Sequence, residues 1–258
     1  MSNLPKVLWL TTSPSFSRFE QPLIRYLSNQ ISIAQWEYLQ SQDEAASLDA
    51  ALVLLHDCLK SHNQPIHLIG HSTSGLLGLL YTRKYPERVK SLTLLGVGAY
   101  PYVDWQAHYY SVLQLLNCSR QIVLAQMVSN IFGYQDNYNT KKLIQILERD
   151  LITSVSPHSL LKRVSSIPGG VEVPLLVCGG QNDVIIDPNA LKGWFKWLKE
   201  GDVLWECPQG PHFFHYFHPQ QVGRKIIKFW QALPVREANT LEKHEAGGRR
   251  QEAGGKRI

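Results

Sequence analysis

The chain has 258 residues, of which 44% are hydrophobic, and this is enough apolar content to bury one core plus an insertion. It contains no run near the ~18 apolar residues of a membrane span, and the apolar run 7–10 is too short for a signal peptide. The four cysteines form no C-x-x-C pair, so neither a zinc motif nor a disulfide framework is indicated. We therefore expect a cytoplasmic protein without stable membrane insertion.

The net charge of +5 could suggest a nucleic-acid partner, but part of this charge lies outside the predicted fold. From Val235 onward, six Lys or Arg residues stand against four Glu residues, so about +2 of the charge belongs to this tail. The tail has few apolar residues and contains two near-copies of one motif, at 245–250 and 252–257. We expect residues 235–258 to be a disordered tail, and we predict no nucleic-acid partner.

Six strands are predicted in chain order, and most of them are short apolar runs without alternation, which is typical of strands covered on both faces. They lie at about 6–10, 31–36, 66–70, 91–97, 174–178 and 202–207. Helical patterns separate them. Helices are predicted over 47–60, from Pro188 with Asp187 as its N-cap, and from Pro219. Repeated strand–helix–strand units predict an α/β fold, with a doubly wound, mainly parallel sheet in three layers.

A serine stands at the end of the third predicted strand, where the run 66–70 leads into a helix almost at once. Ser72 is flanked by the small residues Gly70 and Ser74, which a sharp and strained strand-to-helix turn requires. Such a turn raises the hydroxyl above the sheet and places it at a helix N-terminus, where developing negative charge is favoured. Ser72 is therefore a candidate nucleophile.

Two further polar residues follow strands in the same way. Asp183 comes directly after the predicted strand 174–178, and His212 follows the strand 202–207. Because the carboxyl ends of parallel strands meet at one edge of the sheet, these side chains should gather near Ser72.

Serine, aspartate and histidine follow one another in the order found in the α/β-hydrolase superfamily. The chain resembles a capped, esterase- or lipase-like member of that superfamily whose nucleophile is a serine. The likeness covers roughly residues 6 to 232. Its motifs are the nucleophile elbow Gly70-His-Ser-Thr-Ser-Gly75, the segments Tyr85–Val89 and Leu92–Leu95, the acid loop Gly180–Asp183 with Pro188, and the histidine loop Pro211–Pro219. The resemblance implies an α/β-hydrolase core at 1–98 and 168–234 and a helical cap insertion at 99–167.

The chain departs from the family pattern at two places. Ser74 stands where the elbow usually has its second glycine, and Thr11-Thr12 stands where the family usually has His-Gly. By position, the backbone N–H groups of Ser13 and Thr73 would form the oxyanion hole. Thr12 in place of glycine restricts the backbone there and adds a hydroxyl group.

Two other aspartates could be the acid of the triad, but each fits that role less well than Asp183. Asp187 suits a helix cap, and Asp104, an alternative acid position in some family members, lies about seven residues past its strand.

His212, His215 and His218 share a spacing of three, but no acidic or cysteine ligand accompanies them. We predict no metal and no cofactor, and the glycine-rich loop of a phosphate site is absent.

The apolar content of the cap implies an enclosed pocket for a small apolar molecule. We predict that Thr12, Trp105, Tyr109, Phe132 and Phe213 line it. The predicted function is a serine hydrolase that cleaves an ester-like or other carbonyl substrate through an acyl-enzyme. Two alternatives stay open: a triad-retaining ligand receptor or partner-binding protein with little turnover, and a C–C bond hydrolase or haloperoxidase-like enzyme. Neither the substrate nor the oligomeric state follows from the sequence.

Overall fold

A single parallel sheet organises the molecule, whose computed structural model describes residues 5–40, 47–100, 103–156, 158 and 168–234. Its strands are β1 (Val7–Thr11), β2 (Ile33–Glu37), β3 (Ile66–His71), β4 (Val89–Leu95), β5 (Leu175–Gly180) and β6 (Val203–Cys207), in the spatial order β2-β1-β3-β4-β5-β6. Every neighbouring pair is parallel. Each predicted strand is found within two residues at either end, and the predicted fold class is confirmed.

Helices connect these strands and bear out the predicted starts. They are α1 (Ser17–Ser28), α2 (Leu48–Leu59), α3 (Thr73–Lys84), α4 (Trp105–Leu115), α5 (Arg120–Phe132), α6 (Asn137–Thr153), α7 (Pro188–Lys192), α8 (Phe214–Phe217) and α9 (Pro219–Ala232). Asp187 caps α7, because its carboxylate accepts hydrogen bonds from the backbone N–H groups of Asn189 and Ala190 at 2.7 and 3.0 Å. Asp187 is therefore occupied as a cap.

Alternate side chains along β1 pack into two different apolar cores, so both faces of the sheet are covered. Val7 and Trp9 pack into one apolar core with residues of α1 and α9, whereas Leu8 and Leu10 pack into a second core with residues of α2 and α3. All of these positions are buried, so the run shows no polar alternation. The result is a three-layer arrangement whose strands all end at the same edge.

The segment between β4 and β5 forms the helices α4, α5 and α6, and its described part, residues 103–156 and 158, contains no strand. These helices pack against the core near the strand ends. The Phe132 ring stacks on Phe213 at 5.1 Å, and Trp105 meets Phe16 edge-on at 6.0 Å. The cap limits of 99–167 stay a prediction, and the tail 235–258 lies outside the described residues. No described helix combines the length and the apolar character that crossing a bilayer requires.

Candidate active site

Ser72 occupies a strained turn between β3 and α3. Its backbone has φ 51° and ψ −124°, a region that non-glycine residues rarely adopt. The turn brings two backbone segments so close that a Cβ atom on Gly70 would lie 2.5 Å from the carbonyl oxygen of Ser74. Only glycine fits at position 70, and the sharp turn lifts the Ser72 side chain to the carboxyl edge of the sheet.

His212 and Asp183 lie together at this edge. The His212 Nδ1 atom is 2.9 Å from Asp183 Oδ2, and both side chains are buried. The other carboxylate oxygen, Oδ1, accepts the backbone N–H groups of Ile185 and Ile186 at 2.9 and 3.0 Å. Asp183 is thus held in one orientation as the acceptor for His212, and the opposite ring nitrogen of His212 is left for another partner.

Ser72 and His212 face the same small cavity. Neither the Ser72 hydroxyl nor His212 Nε2 has a hydrogen-bond partner among the described residues, although both atoms are buried. Buried polar atoms are almost always paired, so two unpaired ones at one cavity indicate a place where a ligand makes the missing bonds.

Backbone contacts fix the loop that carries His212. The N–H of Asn182 donates to the carbonyl oxygen of Gly210 at 2.9 Å, which joins the acid loop to the histidine loop. His71 Nε2 lies 3.1 Å from the carbonyl oxygen of His212, so this nitrogen must be the donor. Gly96 has φ +60°, and a Cβ there would lie 3.3 Å from the His212 ring, so the ring packs directly on the backbone.

The neighbouring histidines are neutral. Burial lowers the pKa of His71 well below its usual value and that of His215 to about 3, and the other nearby imidazoles add to both effects. Burial also lowers the pKa of His108, which lies near His212 and Asp183. The base therefore has no permanently charged imidazole beside it. Within the described part of the chain, no group of histidine, cysteine or acidic residues could hold a metal ion.

The two residues predicted for the oxyanion hole, Ser13 and Thr73, both line the cavity beside Ser72. Thr73 is the first residue of α3, where backbone N–H groups have no partner inside the helix. The N–H of Ser13 donates to no described residue. The Thr73 hydroxyl donates to Asp104 Oδ2 at 3.0 Å, so Asp104 binds the elbow rather than His212.

Not every predicted pocket residue reaches the cavity. Trp105 and Phe213 line it, together with the predicted triad and oxyanion residues Ser72, His212, Ser13 and Thr73. Thr12, Tyr109 and Phe132 are buried but lie outside the lining. Thr12 instead bonds to Ser74, and Phe132 stacks behind Phe213. The free space is about 10 Å³, room for roughly one water molecule.

Sequence reasoning missed Glu20, a buried carboxyl group in the wall of this cavity. Its Oε2 atom accepts the Thr11 hydroxyl at 2.7 Å. Burial raises the pKa of Glu20 to about 8, and the Thr11 and Trp9 side chains offset this effect only in part. The Trp9 indole N–H does not reach hydrogen-bond geometry with it. A signal was present, because Glu20 precedes the buried residues Leu23, Ile24 and Leu27 at helical spacing on the apolar face of α1.

The fold and this edge of the sheet define the class: the protein is an α/β hydrolase. More specifically, the chain belongs to the hydrolase family described as serine aminopeptidase S33, which it matches over residues 38–217. The predicted membership in the α/β-hydrolase superfamily is confirmed.

Two kinds of similar protein are found. The uncharacterized protein sll0249 of Synechocystis sp. is 46% identical over 234 residues, which cover 91% of this chain and 93% of that protein. A thermophilic esterase superposes with a TM-score of 0.66 at 18% identity, covering 89% of this chain and 90% of the other. Naproxen esterase (carboxylesterase NP) from Bacillus subtilis also has a TM-score of 0.66, at 16% identity, with 89% and 85% covered. The fold is therefore carboxylesterase-like.

Proposed function

We propose that the protein is a serine esterase in which Ser72 is the nucleophile, His212 the base and Asp183 the acid that orients it. One observation carries this proposal: His212, whose Nδ1 atom lies 2.9 Å from Asp183 Oδ2, lines the same cavity as a strained serine whose hydroxyl has no described partner. The likeness to two esterases supports an ester as the substrate.

The first half of the reaction transfers the acyl group to the protein. The His212 Nε2 atom takes the Ser72 proton while Oγ attacks the carbonyl carbon, and a tetrahedral intermediate forms. Asp183 accepts a hydrogen bond from the His212 Nδ1–H group throughout and stabilises the imidazolium. His212 then gives its proton to the departing alkoxide, the ester C–O bond breaks, and the acyl-enzyme and a free alcohol result.

The second half repeats these steps with water. His212 removes a proton from a water molecule, whose oxygen attacks the acyl carbon, and collapse of the intermediate returns the proton to Ser72. The N–H groups of Thr73 and Ser13 are the proposed donors to both oxyanions, and each is worth about 3 kcal/mol in comparable sites. No step requires a cofactor or a metal. A location in the cytoplasm and the absence of a nucleic-acid partner stay predictions.

A fluorophosphonate probe tests the proposal, because it phosphonylates a serine only where a base activates it. We expect one labelled peptide, containing Ser72, and no labelling of Ser72→Ala, in parallel with loss of p-nitrophenyl ester hydrolysis. Ser61→Ala, on an exposed turn, is the matched control and should label like the wild type. Labelling at another serine contradicts the proposal. The absence of both labelling and turnover favours the receptor alternative.

A further inference from the structure

Two buried polar side chains in the wall of the cavity have no part in the proposed triad. Glu20 comes from α1 and Gln106 from α4, and they are only 3% and 4% exposed. The cavity lining contains no lysine or arginine that would pair with the carboxyl group. Groups of this kind are costly to bury unless something completes their hydrogen bonds.

The orientation of the Gln106 amide follows from its neighbours. Its Nε2 atom lies 3.3 Å from the carbonyl oxygen of Asp150 and 3.4 Å from Asp150 Oδ2. Both of these atoms are acceptors, so the amide must point its NH₂ group toward Asp150. The Oε1 atom accepts no hydrogen bond from the described residues, and it is the end of the side chain left to accept one from a ligand.

Glu20 supplies a hydrogen-bond donor, which complements the acceptor of Gln106. The Thr11 hydroxyl already donates to Oε2, which leaves Oε1 as the oxygen free to carry the proton of the neutral acid. The raised pKa of about 8 means that this acid is mostly protonated at neutral pH. A protonated carboxyl group donates one hydrogen bond, so the two side chains together present one donor and one acceptor.

We propose that Glu20 and Gln106 form a polar subsite beside Ser72 that binds a hydroxyl group on the acyl part of the substrate. A hydroxyl group both donates and accepts, as this pair requires, and the free space of about 10 Å³ suits an oxygen of its size. A methyl group would leave both side chains unpaired, and an ammonium group has no acceptor for the Glu20 proton. The hydroxyl group is assigned to the acyl part because that part stays bound to Ser72 while the alcohol departs.

This inference rests on the proposed esterase function and narrows it to hydroxyacyl esters. It also revises the expectation of a small apolar substrate. The competing explanation is structural: Glu20 holds Thr11 in place and never contacts a substrate. The two explanations differ in which variant changes the preference between substrates.

The test compares p-nitrophenyl esters that differ only in one group. The pairs are 2-hydroxypropanoate against 2-methylpropanoate, and 3-hydroxybutanoate against 3-methylbutanoate, with 3-aminobutanoate as the cationic analogue. Each kcat/KM is divided by the rate of hydroxide hydrolysis, which removes the intrinsic effect of the substituent. We expect at least one hydroxyl member to exceed its methyl partner by about tenfold or more, since a site built to bond a hydroxyl rejects the analogue without it.

Three variants assign the preference to the subsite. In Glu20→Met and in Gln106→Met, the ratio of hydroxyl to methyl substrate should fall at least about fivefold, whatever the absolute rates become. Thr11→Val removes the bond to Glu20 but lies outside the cavity lining, and it should keep the wild-type ratio. If Thr11→Val abolishes the ratio as Glu20→Met does, the structural explanation holds. A wild-type ratio near one, or a preference for the amine, also overturns the proposal.

A binding measurement keeps this inference separate from the esterase proposal. Free 3-hydroxybutanoate should raise the melting temperature of Ser72→Ala more than 3-methylbutanoate does at equal concentration, and Glu20→Met in that background should abolish the difference. Equal shifts overturn the subsite even when esters are hydrolysed. If Ser72 proves inert and a hydroxyl-specific shift persists, the esterase proposal fails and the subsite stands.

Discussion

The backbone N–H of Thr12 donates a hydrogen bond of 2.9 Å to the Ser74 hydroxyl, across 62 positions of the chain. The hydroxyl groups of the two residues also lie 3.0 Å apart. These are the two positions where the chain departs from the usual α/β-hydrolase pattern, so the departures contact each other. Ser74 ties the loop after β1 to the elbow, which holds the neighbouring residue Ser13 beside the cavity.

Replacing Ser74 by alanine should destabilise the protein, because the buried N–H of Thr12 loses its acceptor. We expect the free energy of unfolding to fall by about 1–3 kcal/mol, the usual cost of an unsatisfied buried donor. Urea denaturation measures the change. Ser111→Ala, which removes from an exposed residue a hydroxyl bonded to the Ala107 carbonyl, is the control and should cost less. Equal losses for the two variants would mean that the Thr12 contact has no special role.

Thr12→Gly should change ester turnover less than about tenfold. The bond to Ser74 is made by the backbone N–H, which glycine retains, so the loop should keep its geometry. Steady-state hydrolysis of p-nitrophenyl acetate measures the effect. A rise of about a hundredfold or more would show that threonine misdirects an oxyanion donor, whose full value is about 2.7–4 kcal/mol. The receptor alternative would then be favoured.

Asp183→Asn should lower kcat by about 10⁴-fold, because an amide no longer holds the His212 ring in the tautomer that accepts a proton at Nε2. The matched control is Asp104→Asn, another buried acid near the elbow. Asp104 contacts Thr73 rather than His212, and asparagine still caps α4, so kcat should fall far less. If the Asp104 variant is the slower of the two, the assignment of the acid is wrong.

Glu20→Gln should change how stability depends on pH. The pKa of Glu20 is raised from 4.5 to about 8, so between these values the folded protein keeps a proton that the unfolded chain has released. The free energy of unfolding of the wild type should therefore fall as pH rises through this window, by up to about 1.4 kcal/mol per pH unit from this group.

The glutamine variant lacks this titration. Relative to the wild type, it should gain free energy of unfolding steadily between pH 5 and pH 8, and urea denaturation at four or five pH values measures the difference. Parallel curves for the two proteins would show that Glu20 ionises as easily in the folded state as in the unfolded one.

The sequence predicted site residues best where the residues that interact are also neighbours along the chain. Ser72 could be found because the strand, the small residues Gly70 and Ser74 and the following helix are contiguous, and backbone sterics act over that short range. The cap at Asp187 was predictable for the same reason, since its carboxylate bonds to the backbone two and three residues ahead. Asp183 and His212 needed one further rule, that parallel strands end at one edge.

Side-chain contacts between segments that are far apart in the sequence could not be predicted from local patterns. Glu20 stands on an apolar helix stripe, yet nothing in the stripe reveals that its carboxyl group meets Thr11 and the cavity. Tyr109 and Phe132 have the aromatic character of pocket residues, but the packing of α4 and α5 turns them away from the cavity lining. Their placement depends on how the helices cross the core.

The sequence by itself determined the strand order along the chain, the parallel sheet and the edge where its polar residues gather, because periodicity, glycine sterics and connection handedness act locally. Only the tertiary structure decided that Thr12 bonds to Ser74, that Asp104 holds Thr73, and that Glu20 and Gln106 face the space beside Ser72. The first two of these pairings join residues 62 and 31 positions apart. All of them depend on side-chain packing that no short pattern encodes.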